Sequence, residues 1–235
     1  MQKKAKPRTY HAHRERQRRR ILDAAQSLFI EQGIERITMA EITLASGLQP
    51  STMYQYFSSK DDIAWELVSE LLAGAAIQVK QRIEGAPNAL AVITAFLEFM
   101  ADELSGNQAA VRFLAEFDAR YAHDWPVDRL LTLESQIAPQ PFRFFTDLIR
   151  SGIADGSLRA DLDPELTMHA VMNAVIGAQR RLASLGRKVE IEYGQPVDRL
   201  FRETLRILLL GLRAPEAPVT KSSNTRKRTA RKRSS

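Results

Sequence analysis

The chain has 235 residues, of which 44% are hydrophobic, so it is long enough to bury one large core or two small ones. It contains no cysteine, which excludes disulfides, thiolate zinc sites and cysteine nucleophiles. No apolar run approaches the roughly 18 residues of a membrane span, and no signal-peptide pattern follows the basic start, so we expect a cytoplasmic protein.

The net charge of +6 is distributed unevenly along the chain. Residues 1–20 carry nine Lys or Arg against one Glu, and residues 221–235 carry seven and no acid, which leaves residues 21–220 with a net charge of −9. Basic tails attract a phosphate backbone whatever its sequence. We expect a disordered basic arm at 1–13, for which we favour contact with phosphates over simple solvation. For the basic, disordered tail at 214–235, phosphate contact and simple solvation are equally compatible with the composition.

The first predicted helix covers residues 14–32. Apolar residues recur there at helical spacing, and Gly33 suits the carboxyl-terminal cap. We expect this helix to complete a small core for the segment that follows, because a very short helix cannot hold its position without packing. The apolar positions of the helix are Ile21, Ala24, Ala25, Leu28 and Phe29.

Residues 38–57 have the pattern of a helix-turn-helix. Thr38 with Glu41 forms a capping box, which starts one short helix. Gly47 supplies a left-handed turn, and Pro50 suits the first turn of a second helix that we expect to run through Tyr56. That second helix would present hydroxyls, an amide and aromatic rings, which suit phosphates and base edges in the major groove.

Several runs in this region carry a family resemblance. TMAEI at 38–42, STMYQYF at 51–57 and KDDI at 60–63, with matching apolar positions from residue 14 onward, resemble the DNA-binding domain of the tetracycline-repressor-like (TetR/AcrR) family. Two positions depart from the family pattern, because Thr43 and Ser46 stand where alanine is common. The resemblance places the DNA-binding domain at 14–60.

The resemblance implies roles for individual side chains in DNA binding. Thr38, Tyr54 and Lys60 would hold phosphates. Glutamine can pair with adenine through two hydrogen bonds, and a threonine methyl can touch thymine, so the second helix would read base edges. The alternative for the two tyrosines is that one of them packs in the core. The candidates for base edges are Ser51, Thr52, Gln55 and Tyr56, with Ala40, Gln49 and Pro50 at the periphery.

The rest of the chain also has the pattern of helices separated by breakers. Ser59 caps a helix that continues to about residue 83, and at 24 residues it would be about 36 Å long. No alternating β-branched run is longer than about four residues, so we expect an all-α fold. The resemblance implies that 61–213 form a larger helical ligand-binding and dimerisation domain. The further predicted helices lie at 88–104, 108–122, 127–137, 141–155, 164–185 and 196–212.

The last two of these helices are candidates for a dimer interface. Small residues recur every four positions in the first, and a broad apolar stripe covers the second. The resemblance implies that the two helices of each subunit form a four-helix interface, whereas the alternative is that both are ordinary core helices. The candidate interface residues are Ala170, Ala174, Gly177, Ala178, Phe201, Leu205, Leu208 and Leu209.

The large helical domain is rich in aromatic residues, which could line an apolar pocket with a few polar groups. Each of them alone is more typical of a core than of a pocket. The candidate pocket residues are Phe96, Phe99, Met100, Phe113, Glu116, Phe117, Tyr121, Phe145, His169, Met172 and Asn173.

No phosphate-binding glycine loop, metalloprotease motif or nucleophile elbow occurs in the sequence, so we expect no enzyme, cofactor or metal. The favoured function is a ligand-responsive, sequence-specific transcriptional regulator. It would be a repressor that binds a palindromic operator as a homodimer and is released by a small-molecule effector. The alternatives are a nonspecific DNA-binding protein driven by the basic tails, and an all-helical enzyme that binds a small molecule.

Overall fold

A computed structural model of the chain describes residues 7–122, 126–137 and 141–215. Within these ranges the regular elements are helices, and the β-type pairing consists of one isolated bridge between Leu158 and Arg213, which confirms the all-α fold. No helix in the described ranges is both long and apolar enough to cross a bilayer. The helices are α1 (Pro7–Gln32), α2 (Met39–Ser46), α3 (Pro50–Met53), α4 (Lys60–Ile83), α5 (Ala89–Gly106), α6 (Gln108–Tyr121), α7 (Val127–Ile137), α8 (Pro141–Asp155), α9 (Pro164–Leu185), α10 (Arg187–Tyr193) and α11 (Val197–Leu212).

Side-chain caps fix where several helices begin. The Thr38 hydroxyl accepts from the Glu41 amide at 3.3 Å while the Glu41 carboxylate accepts from the Thr38 amide at 2.8 Å, so the predicted capping box is present. Ser59 caps α4 and Asp163 caps α9 in the same way, each through the amide three residues on. Because such caps satisfy amides that a helix leaves unpaired, they set the first residue of each helix.

Two helix boundaries and one additional helix differ from the sequence-based expectation. Helix α1 begins at Pro7, so residues 7–13, which we expected in a disordered arm, are helical. They extend a helix that is already anchored in the core, and extension costs less than nucleation. Helix α3 ends at Met53, and hydrogen-bonded turns replace the rest of the predicted helix. Helix α10 is not predicted, because seven residues give only a weak periodic signal.

The side chains form two hydrophobic cores. The first contains buried residues of α1 to α4 together with Phe113 and Phe117 of α6 and Leu133 of α7. The second is built mainly from α5, α8, α9 and α11. The first core therefore extends well beyond the predicted domain boundary at residue 60, and α6 is part of it.

Candidate functional site

The turn between α2 and α3 is held in place by α1. Gly47 adopts the left-handed conformation with a φ of 64°, as predicted, and it ends α2. The Arg20 guanidinium of α1 donates to the carbonyl of Ser46 at 2.7 Å, and a Cβ added at Gly47 would lie 2.9 Å from a nitrogen of that guanidinium. The two departures from the family pattern are accommodated, because the buried Thr43 and Ser46 hydroxyls donate to carbonyls within α2.

Helix α3 is anchored on one side and exposed on the other. Met53 and Phe57 are buried in the first core, which fixes the position of this single helical turn. Among the predicted base-contacting residues, Ser51 and Gln55 are exposed and Thr52 is half-buried. Tyr54 is 58% exposed, and Ala40, Gln49 and Pro50 are also exposed. The exposed side therefore carries a hydroxyl, an amide and a phenol that a DNA groove could meet.

Tyr56 is the tyrosine that packs inside the protein. Its hydroxyl donates to the side-chain oxygen of Gln17 in α1 at 2.7 Å, and the guanidinium of Arg14 lies 5.6 Å from its ring centroid. The side chain is half-buried against the first core. Tyr56 thus connects the recognition turn to α1, a role that differs from the base contact we expected.

Two of the three predicted phosphate ligands are engaged within the protein. The Lys60 ammonium donates to the carbonyls of Ile34, Glu35 and Ile37 at 3.0, 3.0 and 3.1 Å, which uses all three of its donors. The Thr38 hydroxyl donates to the Glu41 carboxylate at 2.7 Å. Hydroxyl and ammonium groups bind phosphate by donating, so neither is free to do so in this conformation. The carbonyls that Lys60 binds belong to the loop between α1 and α2.

Helix α6 contacts α1, this loop and the start of α4 through three polar side chains that are spaced four residues apart. Arg112 donates to the Ile30 carbonyl at 2.6 Å, and the Glu116 carboxylate accepts from the Ile34 amide at 3.2 Å. Arg120 pairs with Asp61 at 2.9 Å and also with Glu35, and these hydrogen bonds raise its pKa. One face of α6 is thereby fastened to the last turn of α1, to the loop and to the start of α4.

Aromatic residues on the same face of α6 enter the first core. Trp65 of α4 meets Phe117 edge-on at a centroid distance of 4.8 Å and lies 5.1 Å from Tyr121, while Phe113 stacks on Phe29 of α1 at 6.0 Å. The expectation that Phe113, Phe117 and Tyr121 line a ligand pocket is therefore not met, because these side chains project toward α1 and α4. Glu116, another expected pocket residue, is occupied with Ile34.

The opposite face of α6 lines an open groove against α9, with a volume of about 500 Å³. Of the predicted pocket residues, His169, Met172 and Asn173 lie in its wall. Arg180 of α9 pairs there with Asp118 of α6 and donates to the Leu114 carbonyl at 3.4 Å. Burial lowers the pKa of Arg180 to about 10, so it remains charged at neutral pH. The groove therefore combines a cation, a carboxylate and an apolar wall.

Most of the other predicted pocket residues lie in the second core or pack against it. Phe96, Phe145 and Met172 border a space of only about 20 Å³, which is large enough for little more than one water molecule. Phe99 is buried, and the carbonyl of Met100 accepts from the side-chain amide of Gln179 at 2.7 Å. No single cavity in the described part of the chain gathers the whole predicted set, because the predicted residues are divided among the first core, the second core and the groove.

The predicted dimer residues divide into exposed and buried groups. Ala170, Ala174 and Gly177 are exposed on one face of α9. Phe201 and Leu205 are buried in the second core, so they cannot also face a partner, and this part of the expectation is corrected. Ala178, Leu208 and Leu209 are half-buried against the same core. The exposed apolar side chains of α11 are instead Ile207 and Leu210, at 58% and 56% exposure.

The family model described as "Bacterial regulatory proteins, tetR family" matches residues 21–67, which contain the helix-turn-helix. Residues 21–67 are therefore a DNA-binding domain of the TetR type. A relative from Rhodococcus jostii, the HTH-type transcriptional repressor KstR2, is 24% identical over 198 residues, which cover 84% of this chain and 92% of the relative.

Solved structures of transcriptional regulators share the fold over most of the chain. The ketosteroid transcriptional regulator KstR2 of Mycobacterium tuberculosis aligns with a TM-score of 0.62 and 20% identity, covering 84% of this chain and 95% of that one. The transcriptional regulator FadR from Bacillus subtilis, solved in complex with stearoyl-CoA, aligns with a TM-score of 0.64 and 18% identity, covering 82% and 97%. The shared fold thus includes the larger helical domain.

The TetR motif does not reveal the residues that position the helix-turn-helix from outside it. Gln17 and Arg20 belong to α1, and Arg112 and Arg120 come from α6, far along the chain. Charged residues at helical spacing, such as Arg112, Glu116 and Arg120, indicate that their side chains share a helix face. The spacing does not indicate which part of the protein that face contacts. Only the folded chain identifies their partners.

Proposed function

We propose that this TetR-family chain is a ligand-responsive transcriptional repressor that binds a palindromic DNA site as a homodimer. The observation that carries the proposal is the helix-turn-helix at 38–57, whose buried side is fixed by α1 and the first core while its polar side is exposed. A recognition element must be rigid to discriminate base pairs, because discrimination depends on hydrogen-bond geometry.

Gln55, Ser51 and Tyr54 are the side chains that we assign to DNA. They are exposed on α3 and on the turn after it, and none of them is needed for the internal packing of that segment. Gln55 is the best candidate for a base edge, because its amide can both donate and accept. Tyr54 and Ser51 can donate to phosphates or to bases.

Dimerisation follows from the small size of each recognition unit. One helical turn spans only a few base pairs, so a specific site requires two units at a fixed separation. We assign the interface to the exposed small residues of α9, Ala170, Ala174 and Gly177, together with Ile207 and Leu210 of α11. Small residues let two helices approach closely, and the exposed apolar side chains would be buried by a second copy.

Control by a ligand would act through α6, because this helix lies between the groove and the DNA-binding segment. Asp118 faces the groove, while Glu116 and Arg120 contact the loop that precedes α2. A ligand that binds more tightly to one position of α6 shifts the population toward it, and the DNA-binding segment shifts with it.

Selection of bound DNA from a random duplex pool tests the proposed DNA binding. We expect a two-fold symmetric consensus with half-sites about one helical turn or a multiple of it apart. Gln55→Ala should change the preferred base at one position of each half-site. Gln81→Ala, the same change at an exposed position of α4, serves as the control and should leave the consensus unchanged. A pool that stays random would contradict the proposal and favour nonspecific binding through the basic tails.

A titration with fatty acyl-CoA thioesters, the class of ligand in the Bacillus subtilis FadR structure, is the first test of ligand control. A thioester that binds should weaken binding to the selected duplex. Glu116→Gln should retain thioester binding but reduce this effect, because it weakens the contact between α6 and the loop at Ile34. Equal DNA affinity with and without every ligand that binds would refute control by this route.

A further inference from the structure

The amino-terminal half of α1 presents a row of cations beside the recognition turn. We refer to residues 11–20 as the basic segment of α1. Three of its arginines are already engaged: Arg18 pairs with Glu66, Arg19 pairs with Asp23 and Glu70 at 2.7 Å each, and Arg20 donates to the Ser46 carbonyl. These contacts neutralise or occupy the three guanidinium groups and hold α1 against the helix-turn-helix and α4.

Arg14 and Arg16 differ from these three arginines. Both are exposed, and neither has a carboxylate partner among the residues that the structure describes. Arg14 lies over the ring of Tyr56, which leaves the donors at the edge of its guanidinium available. Each of these unneutralised guanidinium groups can contact an anion, because a guanidinium pairs with phosphate oxygens in a two-pronged geometry.

The helical geometry of α1 places both arginines next to the side that meets the helix-turn-helix. Successive residues of an α-helix are rotated by about 100°, so Arg14 lies about 60° from Gln17, which binds Tyr56. By the same rotation Arg16 lies about 40° from Arg20, which binds the turn between α2 and α3. The two free arginines therefore flank the edge of α1 that borders the recognition turn.

We propose that Arg14 and Arg16 contact DNA phosphates beside the groove that α3 enters, so that the basic segment of α1 is a second part of the DNA interface. The proposal rests on the proposed function, since it requires a duplex at the exposed side of α3. The segment lies outside residues 21–67, which the family model covers. Its contacts are with the sugar-phosphate backbone, so they strengthen binding and fix orientation without reading sequence.

Salt dependence distinguishes phosphate contacts from a solvated helix end. Each phosphate contact contributes about 0.9 to the slope of log affinity against log salt concentration for duplex DNA. Raising the salt concentration from roughly 50 to 200 mM weakens DNA binding. For each phosphate contact that is lost, this weakening should be smaller by a factor of about 3.5. The substitutions are Arg14→Gln and Arg16→Gln, because glutamine keeps the helical propensity while removing the charge.

The experiment measures the affinity of the full chain for the selected duplex and for a scrambled duplex of equal composition, across several salt concentrations. We expect each substitution to weaken binding to both duplexes by the same factor. It should also lower the slope of log affinity against log salt concentration for both. Arg19→Gln, which removes an equal charge that two carboxylates already neutralise, should leave the slopes unchanged.

Three results would overturn the proposal. The first is a wild-type slope in both variants, which would mean that the arginines are only solvated. The second is a change confined to the selected duplex, which would mean that they read bases. The third is an equal effect of Arg19→Gln, which would reduce the finding to net charge. If no sequence is selected from the random pool, the proposed function fails, yet the scrambled duplex still measures phosphate contact.

Discussion

Replacing Lys60 by methionine separates a structural role for this residue from a role in DNA binding. Methionine keeps the length and flexibility of the chain but removes the ammonium, which donates to the carbonyls of Ile34, Glu35 and Ile37. As the first residue of α4, Lys60 lies at the positive end of the helix dipole, where a cation is unfavourable unless it is otherwise compensated. The three carbonyls supply that compensation, and Lys60 closes the loop between α1 and α2 onto α4.

The size of the effect follows from the burial of the three hydrogen bonds. The bonds to Ile34 and Ile37 are partly buried, whereas the bond to Glu35 is exposed and water can replace it. At about 1 kcal/mol for each partly buried bond, and nothing for the exposed one, Lys60→Met should lower the free energy of unfolding by about 2 kcal/mol. For a chain of this length that corresponds to a fall in melting temperature of roughly 4–8 °C.

The assay combines thermal unfolding at a fixed protein concentration with DNA titrations at several salt concentrations. We expect the lower melting temperature together with a wild-type dependence of DNA affinity on salt. A phosphate ligand would give the opposite pattern, an unchanged melting temperature with a slope lower by about 0.9 per subunit. Observing that opposite pattern would show that Lys60 leaves its carbonyls to bind DNA, and our reasoning from its hydrogen bonds would be wrong.

Three further substitutions test other parts of the structure. Gly47→Ala should cost about 1–2 kcal/mol, read as a melting temperature lower by roughly 2–8 °C, because its φ of 64° is left-handed and Arg20 crowds the added Cβ. Arg120→Met should weaken the effect of any bound ligand on DNA affinity in paired titrations, because it removes the ion pair between α6 and Asp61. Leu210→Glu should shift the chain toward monomer in analytical ultracentrifugation without changing its helical circular dichroism, since this side chain is 56% exposed and supports no internal packing.

Local signals made most helix starts predictable from the sequence. Thr38, Ser59 and Asp163 each bind an amide three residues along the chain, so the cap and its partner lie within a single window of sequence. The carboxyl-terminal end of α3 was less predictable. The apolar spacing from Met53 to Phe57 fits a helix, yet the chain leaves the helix at Tyr54 and keeps both side chains buried through turns.

The partners of the polar side chains could not be predicted, because they come from distant parts of the chain. Lys60 carries an ammonium group that is suited to binding phosphate. Only the folded position of the loop at 34–37 shows that backbone carbonyls already accept its hydrogen bonds. The same holds for Tyr56, whose partner Gln17 is 39 residues away. A sequence pattern reports which groups share a helix face, whereas the chemical role depends on what the tertiary structure brings against that face.

The position of α6 changes how control of DNA binding should be understood. If α4 alone joined the two parts of the chain, the DNA-binding segment could swing as a separate body. Phe113 and Phe117 are instead buried in the same core as α1 and α4, so any swing that leaves α6 behind would expose them. Exposing a side chain of this size costs about 1.5–3 kcal/mol, which is comparable to a typical coupling energy between two sites. Movement of α6 with the DNA-binding segment is therefore the cheaper route, and it makes the Arg180 and Asp118 pair on the opposite face of α6 the natural place for a ligand to act.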